Sequence, residues 1–431
     1  MSLGPPVPFA RPAFPLREAH AHLYQLGRSL GMIQLEGCAS PDDMLGEFAA
    51  RAGRGGEGAV LLGQGARPEA WAPARWPTLA EFDRVTGAVP ALAWCFDYHA
   101  IMANSAALAL AGIGDATPDP SGGVIGRTLD GGLSGAVYEG AALMVWHAIP
   151  EPSPEQREAE LRAGLLGLAA FEEVHDLKSQ RWLGPALARL LRGEASGAGR
   201  PARFRLFPLV SELDAVLETR VGWESDRVRL AGAKIFVDGT LNSRTAWMLH
   251  PFADGRPEHP RGTPMMSPRE IEDAVRRCDA AGLPLAAHAI GDAAVRAVLD
   301  AIERVRPRTP GFRIEHAEVI DGADVARFAE LGVIASVQPC HLLYDIEALR
   351  KGLPDRLDRV LPLRELIDAG CVPGETLLFG SDVPIVRADP DDSVLAATAR
   401  RRADMPAGGA IAPSQAISEA EAWAAFRAAG V

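Results

Sequence analysis

Eight short apolar runs recur along this chain, each ending in a polar residue and most followed by a stretch of helical periodicity. One leads into His20 and His22; the others cover 173–176, 204–210, 230–237, 284–288, 312–316, 332–338 and 376–382. Amphipathic segments at 268–281, 292–306, 323–331 and 361–369 lie among the later runs, and 185–199 and 418–429 read as further helices. Strands alternating with helices form βαβ units and a parallel sheet. Eight of them, with polar strand ends, predict an α/β fold closed into a (β/α)8 TIM barrel. In such a barrel the chemistry gathers at the carboxyl ends of the strands.

The spacing is uneven. Between His22 and the second run lie roughly a hundred and fifty residues, far more than one βα connection needs. Turn-rich stretches at 53–58, 118–123 and 130–132 and an apolar run at 59–62 predict an inserted subdomain between the first and second strands. The expected organisation is a tether at 1–16, a barrel at 17–425 with 45–150 inserted over its mouth, and a tail at 426–431. Trp71, Trp76, Trp94 and Trp146 read as the small core of the insert.

Charge and cysteine content narrow the function. A net charge of -12 lacks the basic footprint that nucleic acid requires. No stretch is long and apolar enough to span a bilayer, and no signal-peptide pattern opens the chain. Cys38, Cys95, Cys278, Cys340 and Cys371 are odd in number and form no Cys-x-x-Cys pair, which points to a reducing cytoplasm. The expected partner is a small molecule, without nucleic acid or membrane, and a homodimer is left open.

Several strand ends carry metal-ligand chemistry. His20 and His22 lie two apart, so on a strand both imidazoles point to one side. His288, His316 and Asp382 each close a separate run. Any one of these is ordinarily a satisfied polar residue; their occurrence on several strands of one barrel favours a divalent ion such as zinc, manganese or iron. Lys234 begins Lys-Ile-Phe-Val-Asp-Gly, and only Lys178, Lys234 and Lys351 among the 44 basic residues are lysines. A plain cationic role here would fall to arginine, whereas a buried lysine can lose its proton and react as an amine.

These residues stand in motifs that resemble the amidohydrolase superfamily. The matching segments are His20-Ala-His22, Lys234-x-Phe-x-Asp238-Gly, His288-Ala-Ile-Gly-Asp292-Ala, Arg313-Ile-Glu-His316 and Gly380-Ser-Asp382-x-Pro384. The chain is most similar to the YtcJ-like branch (amidohydrolase family 3), relatives of N-substituted formamide deformylase. Asp97-x-His99, Asn104-Ser-Ala-Ala-Leu, Pro120-Ser-Gly-Gly-Val-Ile, Val174-His-Asp176, the segment from Asp238 to Ala246, and Gln338-Pro add to this likeness. The resemblance implies a hydrolytic site with one or two divalent metal ions, zinc foremost. His20, His22 and Asp382 would hold one ion, His288 and His316 the other, with carboxylated Lys234 between them. Asp382 would be the general acid–base for a metal-activated water, and the bond cleaved an amide or formamide C–N bond.

Further expectations attach to neighbouring residues. His99, Asp238, Asn242 and Arg244 are assigned to substrate binding, with Arg244 either clamping a substrate carboxylate or bracing Asp238. His175 and Asp176 would orient a ligand from behind. His147, His250, His259 and His341 read as ordinary loop or surface histidines. The flanking β-sandwich usual in the branch is largely missing, so either it has been trimmed or the chain is part of a longer one. The second run also lacks the usual Gly-Ile/Val-Thr lead and has Phe171-Glu-Glu-Val174 instead. Two alternatives are kept: a deaminase or cyclic-amide hydrolase on the same barrel, and a catalytically silent binding barrel.

Overall fold

A computed structural model describes residues 7–52, 60–192 and 199–428, arranged in two compact units. The turn expected at 53–58, the first residue of the 59–62 run and most of the tail after the 183–190 helix fall outside the described residues.

The unit spanning 27–161 is built on a six-stranded mixed sheet. Its order is Ile33–Gln34, Leu61–Ala66, Ala91–Cys95, Ala100–Ala103, Leu133–Glu139 and Gly123–Arg127; the first three run parallel and the rest antiparallel. Strand alternation divides its core between two faces. Leu92, Trp94 and Ile101 pack in one cluster, and Ala91, Ala93, Met102 and Phe48 in the other. Trp71 belongs to the second cluster, with Trp76 packed against it and Trp146 against the first, so these rings are core as expected.

The other unit, 3–26 with 162–431, carries two parallel sheets. The first contains β1 (Arg17–Ala21), β2 (Glu173–Leu177) and β3 (Arg203–Phe207), with a short strand, Val228–Leu230, beyond β3. The second contains β4 (Ala233–Phe236), β5 (Leu285–Ala289), β6 (Arg313–His316), β7 (Ile334–Val337) and β8 (Leu377–Phe379). Single parallel bridges join Ala21 to Val383 and Leu209 to Lys234, one from the end of β1 and one from the segment after β3 to the second sheet. Backbone hydrogen bonds from His22 N to Val383 O (2.9 Å), Asp382 N to His20 O (2.7 Å) and Lys234 N to Pro208 O (2.7 Å) secure the junctions. Both junctions are close to expected ligands.

Sequence punctuation explains where these elements stop. The run expected at 230–237 is divided, Val228–Leu230 pairing with β3 and Ala233–Phe236 with β5, and between them a Cβ at Gly232 would stand 2.5 Å from the Phe207 ring and 2.6 Å from the Pro284 carbonyl. β3 ends before Pro208, which has no N–H for the ladder. Helices follow the later strands. Pro268–Ala280 starts with a Ser267/Glu270 capping box and a proline in the first turn, and Glu419–Ala425 with a Ser418/Glu421 box. No helix among the described residues is long and apolar enough to cross a membrane.

Candidate metal centre

Residues paired across a parallel ladder share a face of the sheet. The register therefore sets Lys234 and Phe236 of β4, His288 of β5, Arg313 and Glu315 of β6 and Ser336 of β7 on one side. Asp382 Oδ1 lies 2.9 Å from His22 Nε2 and 3.3 Å from His20 Nε2. The His316 ring is 4.9 Å from that of His20 and 4.4 Å from that of His288. The Lys234 amine sits 5.2 Å from the centre of the Phe236 ring, which is itself 5.1 Å from His288. The structure thus groups His20, His22 and Asp382, sets His316 beside His20 and His288, and places Lys234 near His288 across the Phe236 ring. His316 and Asp382 hold left-handed backbone (φ 72° and 64°), an uncommon conformation that recurs at functional sites.

The donor set suits a cation. Lys234 Nζ, His316 Nδ1 and Asp382 Oδ1 are buried and have no hydrogen-bond partner among the described residues. Each such atom costs about 1–3 kcal/mol in an interior, a cost that coordination removes. Ligand atoms around a tetrahedral ion with bonds of about 2.0–2.1 Å stand roughly 3.3 Å apart, close to the two spacings at Asp382.

Protonation states agree with that reading. His20 Nδ1 lies 2.7 Å from Glu315 Oε2, so its proton faces Glu315 and Nε2 is bare toward Asp382. Burial draws the His20 imidazole down to about 4 and His316 well below its ordinary value, so both are neutral at pH 7. Burial opposes the Asp382 carboxylate, but His20 and His22, with His341 behind them, outweigh it and hold the group well below the usual range. Burial also lowers Lys234 to about 8, against the pull of Glu315 and Asp382. An amine there is partly neutral near physiological pH.

Behind His20 runs a chain of charge-assisted hydrogen bonds. Arg313 bonds Glu315, and also Ala19 O (2.7 Å), Ser336 Oγ (2.6 Å) and His175 Nδ1 (2.9 Å). Because Arg313 can only donate, His175 carries its proton on Nε2, 3.1 Å from Glu173 Oε1. Arg203 and Arg205 close the chain on Glu173 Oε2 (3.1 and 3.2 Å). Asp176 accepts the Leu23 amide at 2.7 Å, just past His22. The hydrogen bonds of His175 thus go to Arg313 and Glu173, and the Asp176 carboxylate accepts the amide next to His22, rather than bonding an expected ligand side chain.

His175 gives a pH prediction with a definite sign. Burial lowers it to about 4, against the raising effect of Glu173. Between pH 6.5 and 4 the unfolded chain therefore binds the proton and the folded chain refuses it, so stability falls as pH drops through that window. The loss amounts to about 3 kcal/mol at most. Denaturant midpoints of metal-free protein, measured across this range, are expected to fall less steeply in His175→Gln than in wild type. Parallel profiles would refute the assignment.

Two expected recognition residues are corrected. Asp238 is fully buried; Oδ1 accepts the Ile290 amide (3.0 Å) and Oδ2 those of Gly291 and Trp247 (2.9 and 2.8 Å). Its oxygens tie the segments after β4 and β5 together and do not face a mouth. Arg244 neither braces Asp238 nor presents a free fork, since Nε and Nη2 clasp Asp254 (2.6 and 2.7 Å) and Nη1 donates to Leu241 O. Asn242 Nδ2 donates to Asp345 Oδ1 at 2.5 Å. His99 belongs to the other unit, where its ring lies 2.8 Å from Glu139 Oε2.

His341 is the third correction. His147, His250 and His259 are exposed as expected, but His341 is only 7% exposed. Its Nδ1 is 3.2 Å from Glu318 Oε1, its Nε2 is 3.1 Å from Ser381 O, and its ring stacks on His316. Burial opposes its charge, yet Glu318, Asp382 and Asp345 together raise it to about 9. Glu315, Glu318 and Arg313 were likewise not singled out. The usable signal for His341 was its place in the first turn after β7, close beyond Gln338-Pro.

Comparisons with known proteins extend these observations. A family model described as an amidohydrolase family matches residues 15–430. Putative amidohydrolase YtcJ of Bacillus subtilis (strain 168) is 28% identical over 400 residues, covering 89% of this chain and 72% of that protein. N-substituted formamide deformylase of Arthrobacter pascens is 28% identical over 377 residues, covering 81% and 65% respectively. Among solved structures, an uncharacterized metal-dependent hydrolase from Pyrococcus horikoshii OT3 superposes with a TM-score of 0.74 at 24% identity, over 95% of this chain and 78% of that one.

Proposed function

Since this chain belongs to the amidohydrolase family, we propose that it is a metal-dependent hydrolase cleaving a C–N bond of the amide or formamide type. The observation that carries the reading is the grouping of His20, His22 and Asp382, with His316 between His20 and His288, and the burial of Lys234 Nζ and His316 Nδ1 without a hydrogen-bond partner among the described residues. The name of the Arthrobacter relative supports the bond type. The two parallel sheets are read as the eight strands of one (β/α)8 barrel, with the Ala21–Val383 and Leu209–Lys234 bridges as its seams.

A divalent ion in such a seat activates water toward attack and polarises a carbonyl. His20, His22 and Asp382 would hold one ion, and His288 and His316 a second, with Lys234 between them as a carbamate. Glu315 keeps the His20 proton on Nδ1, so Nε2 stays available. Asp382, ionised at neutral pH, accepts the proton of the attacking water and returns it to the departing nitrogen. No serine or cysteine nucleophile is required.

Removing metal tests the reading directly. Dialysis against a chelator is expected to abolish hydrolysis across a panel of formamides and N-acyl amines, and zinc or manganese with bicarbonate to restore it. Protein holding less than about a tenth of an equivalent of transition metal as purified, with no activity after reconstitution, would overturn the proposal.

A further inference from the structure

Two of the three lysines are accounted for. Lys234 is buried beside Phe236, and Lys351 pairs with Asp254 at 3.5 Å. Lys178 is exposed and follows β2 directly, and its amine makes no hydrogen bond or ion-pair contact among the described residues. We propose that Lys178 binds a carboxylate carried by the substrate, so that the protein favours N-acyl or N-formyl amino acids over uncharged amides. The proposal rests on the hydrolase reading and names a substrate class for it. It moves to Lys178 the carboxylate contact that Arg244, clasping Asp254, is not free to make.

Backbone geometry carries the argument. On a continued strand Lys178 would share the face of Val174 and Asp176, opposite that of Glu173 and His175. Its φ of 80° is instead left-handed, a conformation uncommon for a residue with a long side chain. The turn is pinned from both sides. The Lys178 and Ser179 amides donate to Phe207 O (2.8 and 3.2 Å), while Ser179 Oγ donates to Asp176 O (2.9 Å) and accepts the Phe207 amide (3.0 Å). So held, the Lys178 amine stands 5.6 Å from the centre of the Phe236 ring. That ring has the Lys234 amine 5.2 Å away and the His288 ring 5.1 Å away. An exposed cation is thus turned toward the face that bears Lys234, Phe236 and His288. A ring at that distance attracts the ammonium weakly and leaves its three donors for a ligand. Surrounding protein draws the ammonium below its ordinary value despite Glu212, a carboxylate that Arg181 contacts at 3.4 Å. An anionic group of the substrate opposes that shift. A lysine that served only solubility would need neither the left-handed backbone nor the approach to Phe236.

N-formyl amino acids and the formamides of the matching decarboxylated amines serve as paired substrates for metal-loaded protein. Wild type is expected to prefer the anionic member of each pair. Lys178→Met is expected to lower that preference about 10- to 100-fold, mainly through KM, and Lys178→Arg to retain most of it. Titration calorimetry with the free amino acid product, which is not turned over, is expected to show the same weakening in Lys178→Met. Lys178→Gly, which suits the left-handed backbone, takes its place if the methionine variant fails to fold. A wild type indifferent to the carboxylate, or an unchanged preference in Lys178→Met, overturns the role of Lys178 and leaves the hydrolase reading standing. Metal-loaded wild type that hydrolyses neither series overturns both.

Discussion

Asp382→Asn is expected to cut turnover by roughly 10²- to 10⁴-fold while the fold and most of the metal remain. The amide keeps the size of the carboxylate and one oxygen beside His20 and His22, so packing is preserved. It cannot accept a proton. Asparagine also tolerates the left-handed backbone that Asp382 adopts, so no strain is added at φ 64°. The loss is expected in kcat and kcat/KM together, because the missing step lies in the transition state. Metal content and circular dichroism complete the measurement. Near-normal kcat would move the general base to another residue.

Gly380→Ala is expected to damage both fold and site, although the side chain gained is a single methyl group. Its Cβ would stand 2.5 Å from His20 N, 2.7 Å from Glu18 Oε1 and 2.8 Å from His20 Cβ. These contacts involve backbone and a carboxylate already fixed by the amides of His20 (3.0 Å) and Ser381 (2.8 Å). Relief requires β1 and the segment after β8 to separate, which breaks the 2.7 Å bond from Asp382 N to His20 O. Overpacking of this kind costs about 1–3 kcal/mol, and more where backbone must move. A thermal melt and zinc content read the two effects. A variant with wild-type melting temperature and full metal content would show that β1 and β8 are not wedged together at this glycine.

Much of this arrangement was legible in the sequence because strand ends are local. A run that closes on His288 or His316 announces both the strand and the residue it presents, and Lys234 stood out because lysine is so rare here. What stayed hidden depends on partners far along the chain. Nothing near Arg313 says that His175 accepts from it, or that Glu315 orients His20. The same distance effect misled the reading of Asp238, two of whose three amide donors lie far along the chain at Ile290 and Gly291. Arg244 had a nearer clue, since Asp254 stands close in the sequence. His341 was missed because the strand-end rule stopped at the strand and did not continue into the first turn of the following helix.

The polar face of these sheets bears on any effort to make the protein tolerate heat. Buried faces of parallel sheets are commonly filled with branched aliphatic residues, which accept exchange for one another at small cost. Here Lys234, Arg313, Glu315 and Ser336 occupy that face, and Glu173 and His175 join them through hydrogen bonds. An apolar replacement at any of them strands a charged neighbour, so this layer has little room for improvement. Gains are better sought in the outlying helices and the exposed apolar positions such as Leu166, Val221 and Val372, where a change touches no ligand.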